Sequence, residues 1–316
     1  MSEAELVRRL IAIGWRGSRA VRLGPGDDAA FLRGGLVVAT DLAVEDVHFR
    51  FDWITPEEAG FRAGAAALSD LAAMGAAPEG LLVSLAVPDE PKLAEALQRG
   101  VRDAGDRVGV AVIGGDVSRS PGPVVMDVVT VGRARTVVTR GGAEVGQEVW
   151  VSGSLGGSAA AVAAWSAGTE PDPAARRRFT VPPDRIPLGS GLAGAELARS
   201  MIDISDGLVC DAGRVAEASG AMIVIDRDRV PVHPGAALDL NLALEGGEDY
   251  ELMFTAPAGA ESRIVALAQE VSVTVNRIGW VEEGTGVVLR DARGRRSIPG
   301  RGGYDHFPSP GSRRGR

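Results

Sequence analysis

The chain has 316 residues, 45% of them hydrophobic and 24% charged, which suits a soluble protein of two domains, each with its own core. A formal net charge of −8 argues against general nucleic-acid binding, and its basic residues are almost all arginine, Lys92 being the one lysine. One cysteine, Cys210, excludes an internal disulfide, no apolar run is long enough for a bilayer, and MSEAELVRRL lacks a signal h-region, so a cytoplasmic protein is expected.

In chain order, residues 3–12 form a helix with Leu6, Val7 and Leu10 on one face. Leu36–Ala39 is a strand that ends at Thr40-Asp41. Thr55 and Glu58 make a capping box that opens a helix through Gly60–Ala73, stopped by Gly75. Leu81–Val87 is a strand, Pro91–Val108 a helix, and Val110–Ile113 a strand that stops at Gly114-Gly115-Asp116. Val124–Val131 reads as an uninterrupted strand rich in β-branched residues. Glycines cluster in Arg135–Gly146, where the first domain ends. Glu148–Val151 is then a strand, and Gly153–Ser158 leads into an alanine-rich helix. The charged, proline-rich segment Asp172–Pro187 reads as irregular. Strands follow at Met201–Ile204, Met222–Ile225, Leu252–Thr255, Thr274–Val281 and Val287–Leu289, with a helix at Val209–Ala218. Strands and helices mix in both halves, which defines an α+β protein of two domains.

Familiar nucleotide motifs fail. There is no P-loop, and Gly24-Pro25-Gly26-Asp27-Asp28-Ala29 is not followed by the helix that a Rossmann site needs. The scattered histidines and single cysteine disfavour zinc. What remains is a set of acids beside glycines or at strand ends: Asp27, Asp28, Asp41, Asp70, Asp116, Asp203, Asp206, Glu248 and Asp249. A carboxylate at the end of a buried strand is costly unless it meets water or a cation. Adjacent glycines let backbone N–H groups approach a phosphate. Hard oxygen donors from several loops suit Mg²⁺ shared with substrate phosphates, and so many carboxylates with one lysine imply several ions. Asp211, Asp226 and Asp228 read as ordinary turn residues, and Cys210 as packing.

The most specific segments are Thr40-Asp41 with Val47-His48-Phe49, Leu68–Ala76 (LSDLAAMGA), Ile113–Asp116 (IGGD), Asp203–Leu208 (DISDGL), Gly246–Leu252 (GGEDYEL) and Tyr304–Phe307 (YDHF). In this order they resemble thiamine-monophosphate kinase, a member of the superfamily of aminoimidazole ribonucleotide synthetase. The resemblance implies a two-domain fold: an N-terminal domain, 1–137, that forms a dimeric β-barrel, and a C-terminal α/β sandwich, 138–307, before a flexible tail, 308–316. It implies Asp28, Thr40, Asp41, Asp70, Asp116, Asp203 and Asp206 as Mg²⁺ ligands, with Asp41, Asp70 and Asp206 catalytic. Gly115, Asp116, Arg140 and Ser205 would bind ATP, and His48 and Glu248 would line the thiamine monophosphate site. The partners implied are ATP, the acceptor and a second copy in a homodimer, with neither nucleic acid nor membrane. Two positions depart from the pattern: Arg301 stands where an aromatic is frequent, and Ala39 where serine is. Other enzymes of the superfamily, or a silent Mg-nucleotide-binding dimer, are the competing expectations.

Overall fold

A computed structural model describes residues 3–300, so Arg301, Tyr304–Phe307 and the expected tail lie outside the described residues. The first half comprises α1 (Glu3–Gly14), β1 (Val21–Leu23), β2 (Ala30–Leu32), β3 (Leu36–Val44), α2 (Pro56–Ala73), β4 (Ala77–Val87), α3 (Pro91–Arg107), β5 (Val112–Arg119) and β6 (Val125–Arg133). Its strands form one sheet in the order β1-β2-β3-β6-β4-β5, antiparallel except for the β4–β5 pair. This sheet is open, with β1 and β5 as its edges; among the described residues of one chain it closes no barrel.

The register assigns each acid of this sheet to a face. Asp41 pairs with Val128 and Val128 with Val83, so Asp41 shares the inner face with two buried valines. Its neighbour Thr40 is on the outer face, as are Asp127 and Asp116, each of which pairs with Ser84. Both strands therefore run further than their sequences suggest: β3 continues past Thr40-Asp41, and β5 passes through Gly114-Gly115-Asp116. An aspartate usually stops a strand, but here the cross-strand ladder holds the backbone while the carboxylate faces a polar site.

The capping box of α2 is formed as expected: the Thr55 hydroxyl accepts from the Glu58 N–H at 3.2 Å and the Glu58 carboxylate from the Thr55 N–H at 2.9 Å. Small residues then let α2 be buried on nearly every side. A methyl at Gly60 would sit 2.0 Å from the Leu97 carbonyl oxygen, and one at Gly100 2.0 Å from that of Glu57, so α2 and α3 meet backbone to backbone.

The second half comprises β7 (Glu148–Ser152), α4 (Gly157–Ser166), α5 (Pro173–Thr180), α6 (Ile186–Gly194), β8 (Ser200–Asp203), α7 (Leu208–Ser219), β9 (Met222–Asp226), α8 (Leu240–Leu244), β10 (Leu252–Ala256), α9 (Glu261–Glu270), β11 (Val275–Glu282), β12 (Gly286–Arg290) and β13 (Arg296–Ser297). Its strands run β13-β12-β9-β11-β7-β10-β8, antiparallel except for β9–β12. The segment expected to be irregular holds α5 and the start of α6. Asp172 caps α5 through the Ala174 N–H at 2.9 Å, Pro173 opens it, and Ala175 and Phe179 bury its narrow apolar face despite three successive arginines.

Side-chain alternation divides this sheet between two interiors. Trp150, Met201, Leu252 and Phe254 face one core, and Val149, Val151, Ile202 and Met253 the other, which α7 covers. The first core is continuous with that beneath the N-terminal sheet, through α2, so this core is shared by both halves, while the second core belongs to the C-terminal half alone. The alanines and glycines of α2 let both halves pack on it, and it becomes an internal helix of the whole molecule.

Candidate active site

The seam between α2 and the C-terminal sheet collects the acids. Asp28 lies in the loop between β1 and β2, Asp70 in the last turns of α2, and Asp203 ends β8; one carboxylate oxygen from each lies within 4.8 Å of the others. Two of the motifs join directly, since the Ser69 hydroxyl donates to Asp203 Oδ2 at 2.7 Å, fixing α2 against β8. Arg140 donates through Nη2 to Asp28 Oδ1 at 2.6 Å. Asp28 Oδ2 is buried and has no hydrogen-bond partner among the described residues. A buried carboxylate oxygen without a partner, on an acid clustered with two others, is a costly arrangement that a divalent cation relieves, and the all-oxygen donor set suits a hard one.

The electrostatics agree. Burial, reinforced by Asp28, pushes Asp203 up to about 7. Burial raises Asp70 well above the ordinary carboxylate range, and the charges of Asp203, Asp28 and Asp41 add to it. Asp41 is pushed up to about 6 by burial and then by Glu248, while Arg62 opposes the rise. Asp41 is therefore a neighbour of both the cluster and Glu248.

Glu248 lies where the GGEDYEL segment folds against DISDGL: its N–H donates to the Ser205 carbonyl at 2.7 Å and the Tyr250 N–H to that of Ile204 at 2.8 Å. Glu248 and Tyr250 both have left-handed backbones, φ 68° and 50°, a strain that the surrounding hydrogen bonds hold in place. The Glu248 carboxylate makes an ion pair with the buried guanidinium of Arg62. Asp249 is wholly buried beneath α4 and accepts from the Gly156 N–H at 2.6 Å. His48 is in the turn after β3, and its Nδ1 accepts from the Val44 N–H at 3.0 Å. An imidazole whose Nδ1 accepts carries its proton, when neutral, on Nε2.

Other expected residues fall elsewhere. Asp206 pairs with Arg214 and lies with Asp211 and Cys210 in a second acidic group. Asp211 is no ordinary turn residue: its Oδ2 accepts from the N–H groups of Ser205, Asp206 and Gly207 at 3.0–3.1 Å, so the Ser205 backbone donor is already taken. Thr40 and Asp116 are exposed on the outer face, where Thr40 donates to Asp127. Gly115 has φ 151°, and a Cβ there would meet the Val83 carbonyl oxygen at 1.8 Å, so sheet geometry by itself requires glycine. An open groove of about 440 Å³, bordered by Gly24, Pro25, Asp27, Val38, Thr40 and Val129, leads along that outer face to Asp28.

Sequence reasoning missed Arg62, Asp127 and the bridging role of Ser69. The signals existed: a lone arginine in an alanine-glycine helix, and a lone acid within an otherwise β-branched strand.

Fold and site together define the class. The first half matches the family described as AIR synthase related protein, N-terminal domain, over residues 26–134, and the second half its C-terminal domain over residues 144–292. A thiamine-monophosphate kinase of Mycobacterium tuberculosis (strain CDC 1551 / Oshkosh) is 38% identical over 287 residues, covering 84% of this chain and 84% of the relative. That of Escherichia coli (strain K12) is 34% identical over 321 residues, covering 92% and 93%. A solved structure described as AaThiL complexed with AMPPCP and TMP superposes with a TM-score of 0.83 at 31% identity, covering 97% of each chain. The chain belongs to the thiamine-monophosphate kinase family.

Proposed function

We propose that this chain transfers the γ-phosphoryl group of ATP to the phosphate of thiamine monophosphate, giving ADP and thiamine diphosphate in one direct, in-line, magnesium-dependent step. The observation that carries this reading is the Asp28–Asp70–Asp203 cluster with its orphaned Asp28 oxygen. The groove is lined in part by Asp28, and Asp41 is within electrostatic reach of Glu248. Further support comes from relatives named as thiamine-monophosphate kinases and from the solved relative complexed with AMPPCP and TMP.

Asp28, Asp41, Asp70 and Asp203 would hold magnesium at the junction, and Thr40, Asp116 and Asp206 would serve further ions. Magnesium, when bound, screens the repulsion between the two phosphates. The groove would hold the nucleotide, with Gly115, Arg140 and Ser205 against its phosphates. The acceptor phosphate has a second pKa near ~6, so its attacking oxygen is largely ionised at neutral pH and no general base is required. That oxygen attacks the γ-phosphorus as the bond to the β–γ bridging oxygen breaks. His48, in the turn after β3, would line the acceptor's site. Glu248, partly exposed, suits the acceptor's cationic thiazolium.

Two copies would associate through the outer face and the β5 edge, closing their open sheets into a barrel. Exposed Leu42, Val47, Ile113 and Val117 support this reading, and it expects a dimer by sedimentation equilibrium.

The decisive experiment is ADP formation with Mg-ATP, with and without thiamine monophosphate, and chromatography of the thiamine product. ADP that appears with the acceptor alongside thiamine diphosphate is the expected result. ADP formed without acceptor, or none at all, overturns the reading.

A further inference from the structure

We propose that Arg62 is the ligand for the acceptor's phosphate, and that acceptor binding opens the Arg62–Glu248 ion pair by exchanging partners. The proposal rests on the acceptor reading above. Arg62 projects from α2, its side chain 5% exposed, among alanines, glycines and leucines. Burying a guanidinium is costly, so its setting matters.

Three contacts hold it flat and aimed. Its guanidinium carbon lies 3.8 Å from the Phe179 ring centroid, Nη1 donates to the Phe179 carbonyl at 2.6 Å, and Nη2 meets Glu248. A guanidinium has five N–H donors in a fixed fork that fits phosphate, so these contacts leave donors to spare.

The neighbouring arginines are committed elsewhere. Arg140 holds buried Asp28, Arg214 holds Asp206 and Asp211, and Arg178 and Arg185 hold fully buried Glu251. Glu248 differs, because its side chain is 27% exposed on a left-handed loop and can turn outward. Thiamine monophosphate is a zwitterion, with a thiazolium cation and a phosphate anion. The Arg62–Glu248 pair is its complement: Arg62 takes the phosphate while Glu248 takes the thiazolium.

The test uses the full-length enzyme and its Arg62→Met and Arg62→Lys variants, with melting curves to establish folding. KM is measured for thiamine monophosphate and for ATP, and affinity for unphosphorylated thiamine is measured by calorimetry. Arg62→Met is expected to raise the acceptor KM about 10- to 100-fold and to leave the ATP KM within about twofold. It should bind unphosphorylated thiamine as well as the parent or better, because Glu248 is left unpaired. Arg62→Lys keeps the charge and loses the fork, so its acceptor KM should be intermediate. Equal losses for thiamine and its phosphate would reduce Arg62 to a support for Glu248 and overturn the proposal, as would an unchanged acceptor KM. If Arg62→Met does not fold, the lysine variant decides by the same comparison. A parent enzyme inactive with thiamine monophosphate removes the functional reading and this inference together; an active parent with unselective variants removes the inference alone.

Discussion

Two groups of carboxylates lie close together in this molecule, and they are not alike. In the Asp206–Asp211 group, Arg214 reaches both acids and three backbone N–H groups fill one oxygen of Asp211. The negative charge there is answered from within. In the Asp28–Asp70–Asp203 group, Arg140 reaches Asp28 alone, Ser69 gives one hydroxyl to Asp203, and an oxygen of Asp28 is left over. Acids in proximity do not make a cation site; what distinguishes one is the charge that remains after internal partners are counted.

The largest effect separating the groups should come from Asp70→Asn. Turnover of ATP with thiamine monophosphate should fall by about 10³-fold or more, while the cation-free protein melts no lower, because a repulsion has been removed. ADP release and calorimetry check both halves of that statement. Asp211→Ala should do the reverse: it leaves Arg214 and three N–H groups without a partner and costs about 3–5 kcal/mol of stability, read by urea titration. Intact stability in that variant would mean that the second group is as unbalanced as the first.

A smaller change is expected from Glu248→Gln, which should raise the acceptor KM about 10-fold and leave that for ATP nearly unchanged. The smallest is a pH effect to which Asp203 of the first group and its neighbour Asp41 contribute. Asp203 and Asp41 are pushed up to about 7 and about 6 in the folded state, against an ordinary value of 3.8. The native chain therefore holds protons that the unfolded chain has released, and cation-free stability should fall as pH rises from about 4 through about 7. Magnesium should accordingly raise the melting temperature more at about pH 8 than at about pH 5.5. A melting temperature that rises over that pH window without the ion would contradict the assignment.

Local features were legible in the sequence because their causes are local. The Thr55–Glu58 capping box needs only four adjacent residues. Asp172-Pro173 was an equally good helix start, but the arginines after it hid an apolar face only two residues wide. The acids of the site were all visible as residues, yet their grouping was not. Which of Thr40 and Asp41 faces inward depends on the register of β3 against β6, and that register is fixed by the whole sheet. Arg62 and Glu248 meet only because α5 and the GGEDYEL loop both pack against α2, a tertiary event that no spacing rule contains.

The unbroken interior that passes through α2 also bears on modularity. Family boundaries divide the chain neatly, yet a cut between the two sheets would strip apolar cover from both pieces at once. Grafting one half onto a relative's other half would therefore succeed only where the two faces of this helix are grafted too. The helix that carries Arg62, Ser69 and Asp70 lies in the N-terminal module yet serves the interior of both, so exchange between homologues should keep it with both of its neighbours or leave it untouched.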